Sequence, residues 1–236
     1  MNTFLNGLAE ALRLIASGDP ALLEIVALSL RVSGVALLVS AVLGIPFGAW
    51  LGLARFHGRR LVVALVYTGM AFPPVVVGLF VYLFLSRSGP LGSLNVGWLP
   101  ALFTPEAMMV AQTIIALPLV AGFTMIAVMG VDPALRVQLR SLGASQRQVT
   151  LALLAEARTG VIAAVVAGFG GIISEVGAVM LVGGNIEHRT RVLTTAIVLE
   201  TNKGNFDRAL ALGTILLLIA FVTNFIVLRL QGKSFE

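Results

Sequence analysis

Val161–Gly184 reads VIAAVVAGFGGIISEVGAVMLVGG, with Glu175 its only ionisable residue. A helix crossing the hydrocarbon of a bilayer needs about 20 mostly apolar residues, and Val161–Val182 meets that need. Four more stretches do the same: Val32–Leu53, Leu61–Leu85, Ala107–Met129 and Ala209–Leu230. None alternates with period two, which argues against a barrel. Over the whole chain 58% of residues are hydrophobic and 11% are charged, against about 25% charged in a soluble domain. Too few polar side chains remain to cover a water-facing surface. The sequence therefore predicts an all-α integral membrane protein of five transmembrane helices with lipid as its solvent.

Composition also excludes chemistry. There is no cysteine, hence no disulfide and no thiolate metal site. His57 and His188 are far apart and without ligand spacing, so they read as loop residues and no metal site is expected. The net charge of +5 comes from Lys and Arg spread between apolar runs, a topology signal and not a nucleic-acid patch. No GxxxxGK[ST] loop, Ser–His–Asp set or carboxylate pair occurs. The chain is thus expected to have no catalytic residues and no ATP site of its own.

Orientation follows the basic residues of short loops. With five spans, Arg55, Arg59, Arg60, Arg136, Arg140, Arg147, Arg158, Arg229 and Lys233 share one side, which is nine. The other side holds five: Arg13, Arg87, Arg189, Arg191 and Lys203. The richer side is expected to be cytoplasmic, with the N-terminus outside and the C-terminus inside. Residues 1–20 lack the basic start and continuous apolar centre of a signal peptide. Phe4, Leu5, Leu8, Leu12 and Ile15 instead share one face, as in a short interfacial helix. The membrane domain is assigned to 21–231 and a short tail to 232–236.

Pro46 follows Gly44 in the first span, Pro73 and Pro74 sit inside the second, and Pro118 divides the third. Each removes a helix hydrogen bond and bends the helix. In lipid such breaks survive only where protein or a water-filled cavity satisfies the freed groups. Two readings are open: a static bundle shaped by prolines, or one that opens and closes around a pathway. In the fourth span Ala163, Ala167 and Gly171 lie four apart, with Ala164 and Gly168 beside them. This is a close-packing face, within the chain or between two copies.

Gly130–Gly160 is too long and polar for a turn and too short for a domain. Asp132–Pro133 is a strong helix start; ALRVQLRSL continues it, and Gly143, Ala144 and Ser145 break it. QRQVTLALLAEAR then forms a second helix, giving a helix–turn–helix on the cytoplasmic face, which with nothing more could be an inert amphipathic connector.

Gly130–Gly184 resembles the cytoplasmic loop and following helix of the type I ABC importer permeases. The residues that carry the likeness are SLGAS (Ser141–Ser145), ARTG (Ala157–Gly160) and SEVGAVMLVGGN (Ser174–Asn185). Three longer stretches are similar to oxyanion permeases for molybdate, sulfate and, above all, tungstate. They are Phe72–Gly92, Ile173–Ile186 and Thr190–Gly204. The likeness runs from about residue 26 to 231. It implies the five-helix architecture of the methionine and molybdate permeases and a homodimer whose two copies form one pathway. It implies further two ATP-binding subunits, which carry the ATP and Mg, and an extracytoplasmic oxyanion-binding protein that delivers the cargo. Arg136, Arg140, Ser141, Leu142, Gly143, Ala144, Ser145 and Arg147 would dock on the ATPase. The family pattern is broken twice. Its Glu-Ala-Ala is Val137, Gln138 and Leu139 here, and its later Leu-Pro is Ala155 and Glu156. Val137 therefore cannot supply the acidic contact, and the three loop arginines are the charged candidates left.

The candidates for pathway or gate are Ser174, Glu175, Gly177, Arg189, Arg191, Thr194 and Thr195. Glu175 lies about 20 Å from the cytoplasmic end of its span at 1.5 Å per residue. A carboxylate there costs a few kcal/mol unless paired or hydrated. Arg31, or Ser and Thr donors, are its expected partners, and direct contact with a dianion is disfavoured by charge. An oxyanion needs donors, which Thr194, Thr195, Arg189 and Arg191 offer; the two arginines also suit contact with a binding protein. Rival readings keep the architecture for sulfate, another anion or an amino acid. Others replace it with a membrane scaffold, or with a secondary transporter, which requires a coupling-ion site and usually an inverted repeat.

Overall fold

The computed structural model describes residues 2–94 and 96–231, built among them from α-helices and one short 3-10 turn at Gly92–Leu94. Lys233 and the 232–236 tail lie outside the described residues, as does the side chain of Phe4. Helix α1 spans Asn2–Ser17 and α2 spans Pro20–Leu53. The Asp19 carboxylate accepts from Leu22 N–H at 3.0 Å and Pro20 takes the first turn, so α2 starts well before Val32. At 34 residues it is about 51 Å long, more than a bilayer is thick.

The second expected span is two helices. α3 (Arg59–Met70) and α4 (Pro74–Leu85) meet at 99°, because Pro73 and Pro74 together remove two donors and force an extended turn. α5 (Pro105–Met129) is one continuous helix: Pro118, expected to divide it, lies inside it, as Pro46 lies inside α2. Half of the α5 apolar stretch is buried, against 28% for α2 and 17% for α11 (Phe206–Gln231). α5 is therefore the axis around which α2, α3, α4 and the helices of the expected fourth span pack, with α2 lying along it, while α1 and the short helix just before α11 pack on α11.

α6 (Pro133–Ser141) and α7 (Gln146–Glu156) form the expected helix–turn–helix. α7 meets α8 (Arg158–Ile173) at 72°. The fourth span is also broken: α8 ends at Ile173, and a separate seven-residue helix α9 (Gly177–Gly183) follows Ser174–Val176. α10 (Leu193–Asn202) is a buried helix that the apolar-run criterion did not find, since it is too short to cross. Among the described residues three helices, α2, α5 and α11, are long and apolar enough to cross a membrane, or up to five spans if each sharply bent pair is one.

Small residues set the closest approaches. Of the expected fourth-span face, Ala164 and Gly168 are buried, whereas Ala163 is exposed. A Cβ on Gly168 would stand 2.9 Å from a Val120 methyl of α5. The face thus serves packing within the chain. α1 docks on α11 through Ala11 and Leu14, in a cluster with Ala211, Leu212 and Ile215. Its Leu5, Leu8, Leu12 and Ile15 stay exposed.

Candidate functional site

The tip of the α6–α7 loop is built from local chemistry alone. The Asp132 carboxylate accepts from Ala134 N–H at 2.8 Å. At the other end of α6, Gly143 adopts φ +81°, which lets its N–H reach Arg140 O at 3.0 Å and Ala144 N–H reach Leu139 O at 3.0 Å. Ser145 then caps α7 reciprocally with Gln148. Ser141 Oγ donates to Gln138 O, and Arg140 donates to the Gln146 amide oxygen at 2.9 Å. Val149 and Leu153 anchor α7 in the interior. The tip that results is rigid and apolar: Leu142 is 84% exposed and Val137 67%. Arg136 and Arg147 lie back from it along a groove shared with the end of α2.

The second site is the break between α8 and α9. A broken helix leaves orphan backbone groups, and two side chains from other helices and one from the break itself satisfy them. Gln112 Nε2, on α5, donates to Ile172 O at 3.0 Å. Thr194 Oγ1, on α10, donates to Glu175 O at 2.9 Å. The Glu175 carboxylate itself accepts from Ala178 N–H at 2.8 Å, across the first turn of α9. The expected pair with Arg31 is not formed: Arg31 is exposed on α2 and makes no ion pair among the described residues. The break creates a helix start within the carboxylate's own reach, and that local donor wins.

The other candidates divide. Ser174, Glu175 and Thr194 meet through the break; Ser174 Oγ donates to Gly170 O at 2.7 Å. Gly177 packs close to Val75 of α4. Thr195 is fully buried, and its hydroxyl serves Val192 at the start of α10. Arg189 is exposed, and Arg191 pairs with Glu187 at 3.0 Å. Neither arginine is paired with Glu175.

Replacing Glu175 by Ala is expected to orphan the Ala178 N–H and cost about 1 kcal/mol, read as a lower unfolding midpoint in detergent. Glu175→Gln, which keeps an acceptor, should recover most of that stability. If Glu175→Gln folds and assembles but does not transport, the negative charge has a role beyond the cap.

Sequence reading missed several polar side chains here. Gln112 and Ser29 sit in apolar helices, and an isolated polar residue in such a helix is the sequence signal of a tertiary hydrogen bond. Ser29 Oγ accepts from Leu193 N–H at 2.9 Å, holding α10 to α2. Thr190 donates to Gly183 O at 2.6 Å and accepts from Ile186 N–H. His188, with φ +57°, meets Glu24 of α2 at 2.7 Å. The hydrogen bond to Glu24, then its charge, raises the His188 pKa above the ordinary histidine value. The sign follows: the tie is fully present below the unfolded histidine's pKa and fades as pH rises through the folded one. Titration of His188 by NMR should show a raised midpoint that returns toward 6.5 in Glu24→Gln.

Residues 44–234 match the family model described as binding-protein-dependent transport system inner membrane component. The chain is 43% identical over 218 residues to a probable anion ABC transporter permease protein of Haloferax volcanii, covering 90% of this chain and 92% of that one. It is 38% identical over 233 residues to the tungstate uptake system permease protein of Peptoclostridium acidaminophilum, covering 99% and 100%. Among solved structures, a bacterial alginate ABC transporter has a TM-score of 0.71 at 23% identity, covering 91% of this chain and 80% of that one. An amino acid ABC transporter gives 0.63 at 17%, covering 92% and 93%. At those identities the structures speak to the fold alone.

Proposed function

The chain belongs to the binding-protein-dependent transport system inner membrane components, the permease subunits of ABC importers, and we propose that its cargo is an oxyanion, tungstate ahead of molybdate. The observation that carries this reading is the end-to-end 38% identity to a tungstate uptake permease, supported by the 43% identity to an anion permease. Two copies would form the pathway, each contributing its bent spans. Two ATP-binding subunits, which hold the ATP and Mg, would seat on the Leu142–Gly143 tips, and an extracytoplasmic oxyanion-binding protein would deliver cargo to the side of Arg189 and Arg191. The basic-residue bias favours an outer N-terminus and a cytoplasmic C-terminus, in the cytoplasmic membrane. α1 would lie in the outer interface, with Leu5, Leu8, Leu12 and Ile15 toward lipid. ATP binding would draw the two tips together and turn the cavity outward, and hydrolysis would return it.

At the break, Glu175 faces backbone donors, and the Thr194 and Thr195 hydroxyls are engaged with the chain. These groups are therefore not free donors for an oxyanion, in keeping with a permease that holds its cargo loosely. The test is uptake by cells expressing the chain with its neighbouring subunits, followed by elemental mass spectrometry. Tungstate accumulation should survive a tenfold excess of sulfate and fall less with molybdate than with unlabelled tungstate. Uptake abolished by sulfate, or absent for both metal oxyanions while another solute enters, would assign a different cargo to the same architecture.

A further inference from the structure

Where α2 ends against the flank of α7, the two helices enclose a groove of about 650 Å³. Trp50, Leu53, Leu151 and Leu154 make its wall; Trp50 is 49% exposed and Leu151 56%. Its rim is cationic, with Arg55, Arg136 and Arg147. From these features we propose that the groove binds one anionic phospholipid, its phosphate among the three guanidinium groups and its acyl chains along the Trp50–Leu151 wall.

Three independent features fit that occupant. Depth is the first. Trp50 lies one turn before the end of α2 and stacks on Phe56 at 4.9 Å and on Phe47 at 5.9 Å. Such aromatic clusters mark the level of the lipid headgroups. Charge is the second. None of Arg55, Arg136 or Arg147 makes an ion pair among the described residues. Asp132, beside Arg136, is occupied in capping α6. The Arg136 Nε is buried without a partner, and burial, then Arg140 and Arg55, pull its pKa below arginine's ordinary value. The cluster is a set of like charges short of an anion. The third is the wall: a free oxyanion or an acidic protein side chain would leave about four apolar side chains uncovered, whereas a lipid covers both. Basic pockets between transmembrane helices on the cytoplasmic side take anionic headgroups by this combination.

The site goes beyond the transport reading and divides the loop's residues between two tasks, with the groove arginines serving lipid and the tip serving the ATPase. The assembled importer, purified in mild detergent, would be exchanged with phosphatidylglycerol or phosphatidylcholine and examined by native mass spectrometry. Preferential retention of phosphatidylglycerol, reduced about tenfold or more in Arg136→Gln/Arg147→Gln and unchanged in the remote Arg189→Gln, is the expected result. Leu151→Trp, which fills the wall and keeps every charge, should also release the lipid; it keeps the test decisive if the double variant misfolds. Equal retention of the two lipids, or retention indifferent to both variants, would overturn the proposal. So would displacement of phosphatidylglycerol by tungstate alone, or loss of the ATPase subunits from the double variant with lipid retained. The first would make the rim an oxyanion subsite, and the second an ATPase contact.

Discussion

Replacing Gly48 by leucine is expected to destroy the folded protein, the largest stability loss of any single change considered. Gly48 faces α5 where a Cβ would run into the Ala121 carbonyl oxygen, with Ala121 C and Thr124 Cβ each at 3.0 Å. Those obstacles are mostly backbone, which cannot rotate out of the way. Overpacking costs about 1–3 kcal/mol where side chains can yield, and more where they cannot; here it separates the two longest-contacting helices of the bundle. In lipid the loss is hard to recover, because association rests on van der Waals contact and not on expelled water. The measurement is the monodisperse fraction and melting temperature in detergent. Gly34→Ala is the control in the same helix: apart from its own stretch of helix backbone, no described atom lies within 4 Å of its Cβ position, so it should be neutral or raise stability by up to about 1 kcal/mol through helix propensity. Equal losses at the two positions would mean that backbone freedom, not close approach, is what Gly48 supplies.

Close approaches of this kind depend on the partner helix and cannot be read along the chain, whereas apolar runs and caps can. Apolar runs located α5 and α11 closely, because each is one uninterrupted span. They placed the start of α2 twelve residues late, since Glu24 and Arg31 dilute the run. Yet Asp19–Pro20 is the same start signal that correctly began α6 at Asp132–Pro133. A cap is local chemistry and is visible in sequence wherever it is looked for. The break at Ser174–Val176 was not visible: no proline marks it, and its backbone is satisfied by Gln112 of α5 and Thr194 of α10 together with its own Glu175. That is a tertiary fact. Pro73–Pro74 announced a break, but not that the two halves would turn by 99°. The loop tip was legible nearly residue by residue, because Gly143 and the Ser145–Gln148 box act within a few positions. The Glu175–Arg31 expectation failed for the complementary reason. It matched charges by depth, whereas a new helix start sat within hydrogen-bond reach.

Leu142→Asp is expected to cut the affinity for the ATP-binding subunit by about 30-fold or more, the scale of an interface hot spot of about 2 kcal/mol, and to lower uptake in proportion. Leu142 is 84% exposed on a turn that the chain itself holds rigid, so its removal should leave the melting temperature unchanged. That combination, stability intact and partner lost, marks an apolar group whose covering comes from another chain. Val137, 67% exposed, stands where the family resemblance expects an acid; if the tip seats on the ATP-binding subunit as proposed, the contact is chiefly apolar, and the complex is expected to resist salt that would screen an ionic contact. Gly143→Val tests the shape of the same surface. With φ +81° and open space around it, the substitution meets no neighbour but pays about 1–2 kcal/mol for the left-handed backbone. The cheapest relief is to re-aim the turn, which moves Leu142 off its mark. Pull-down with the ATP-binding subunit at low and high salt reads both effects. Wild-type binding by Leu142→Asp, or binding lost on raising salt in the unaltered chain, would shift the contact from the apolar tip to the loop's arginines, and the lipid groove would then lose its claim on Arg136 and Arg147.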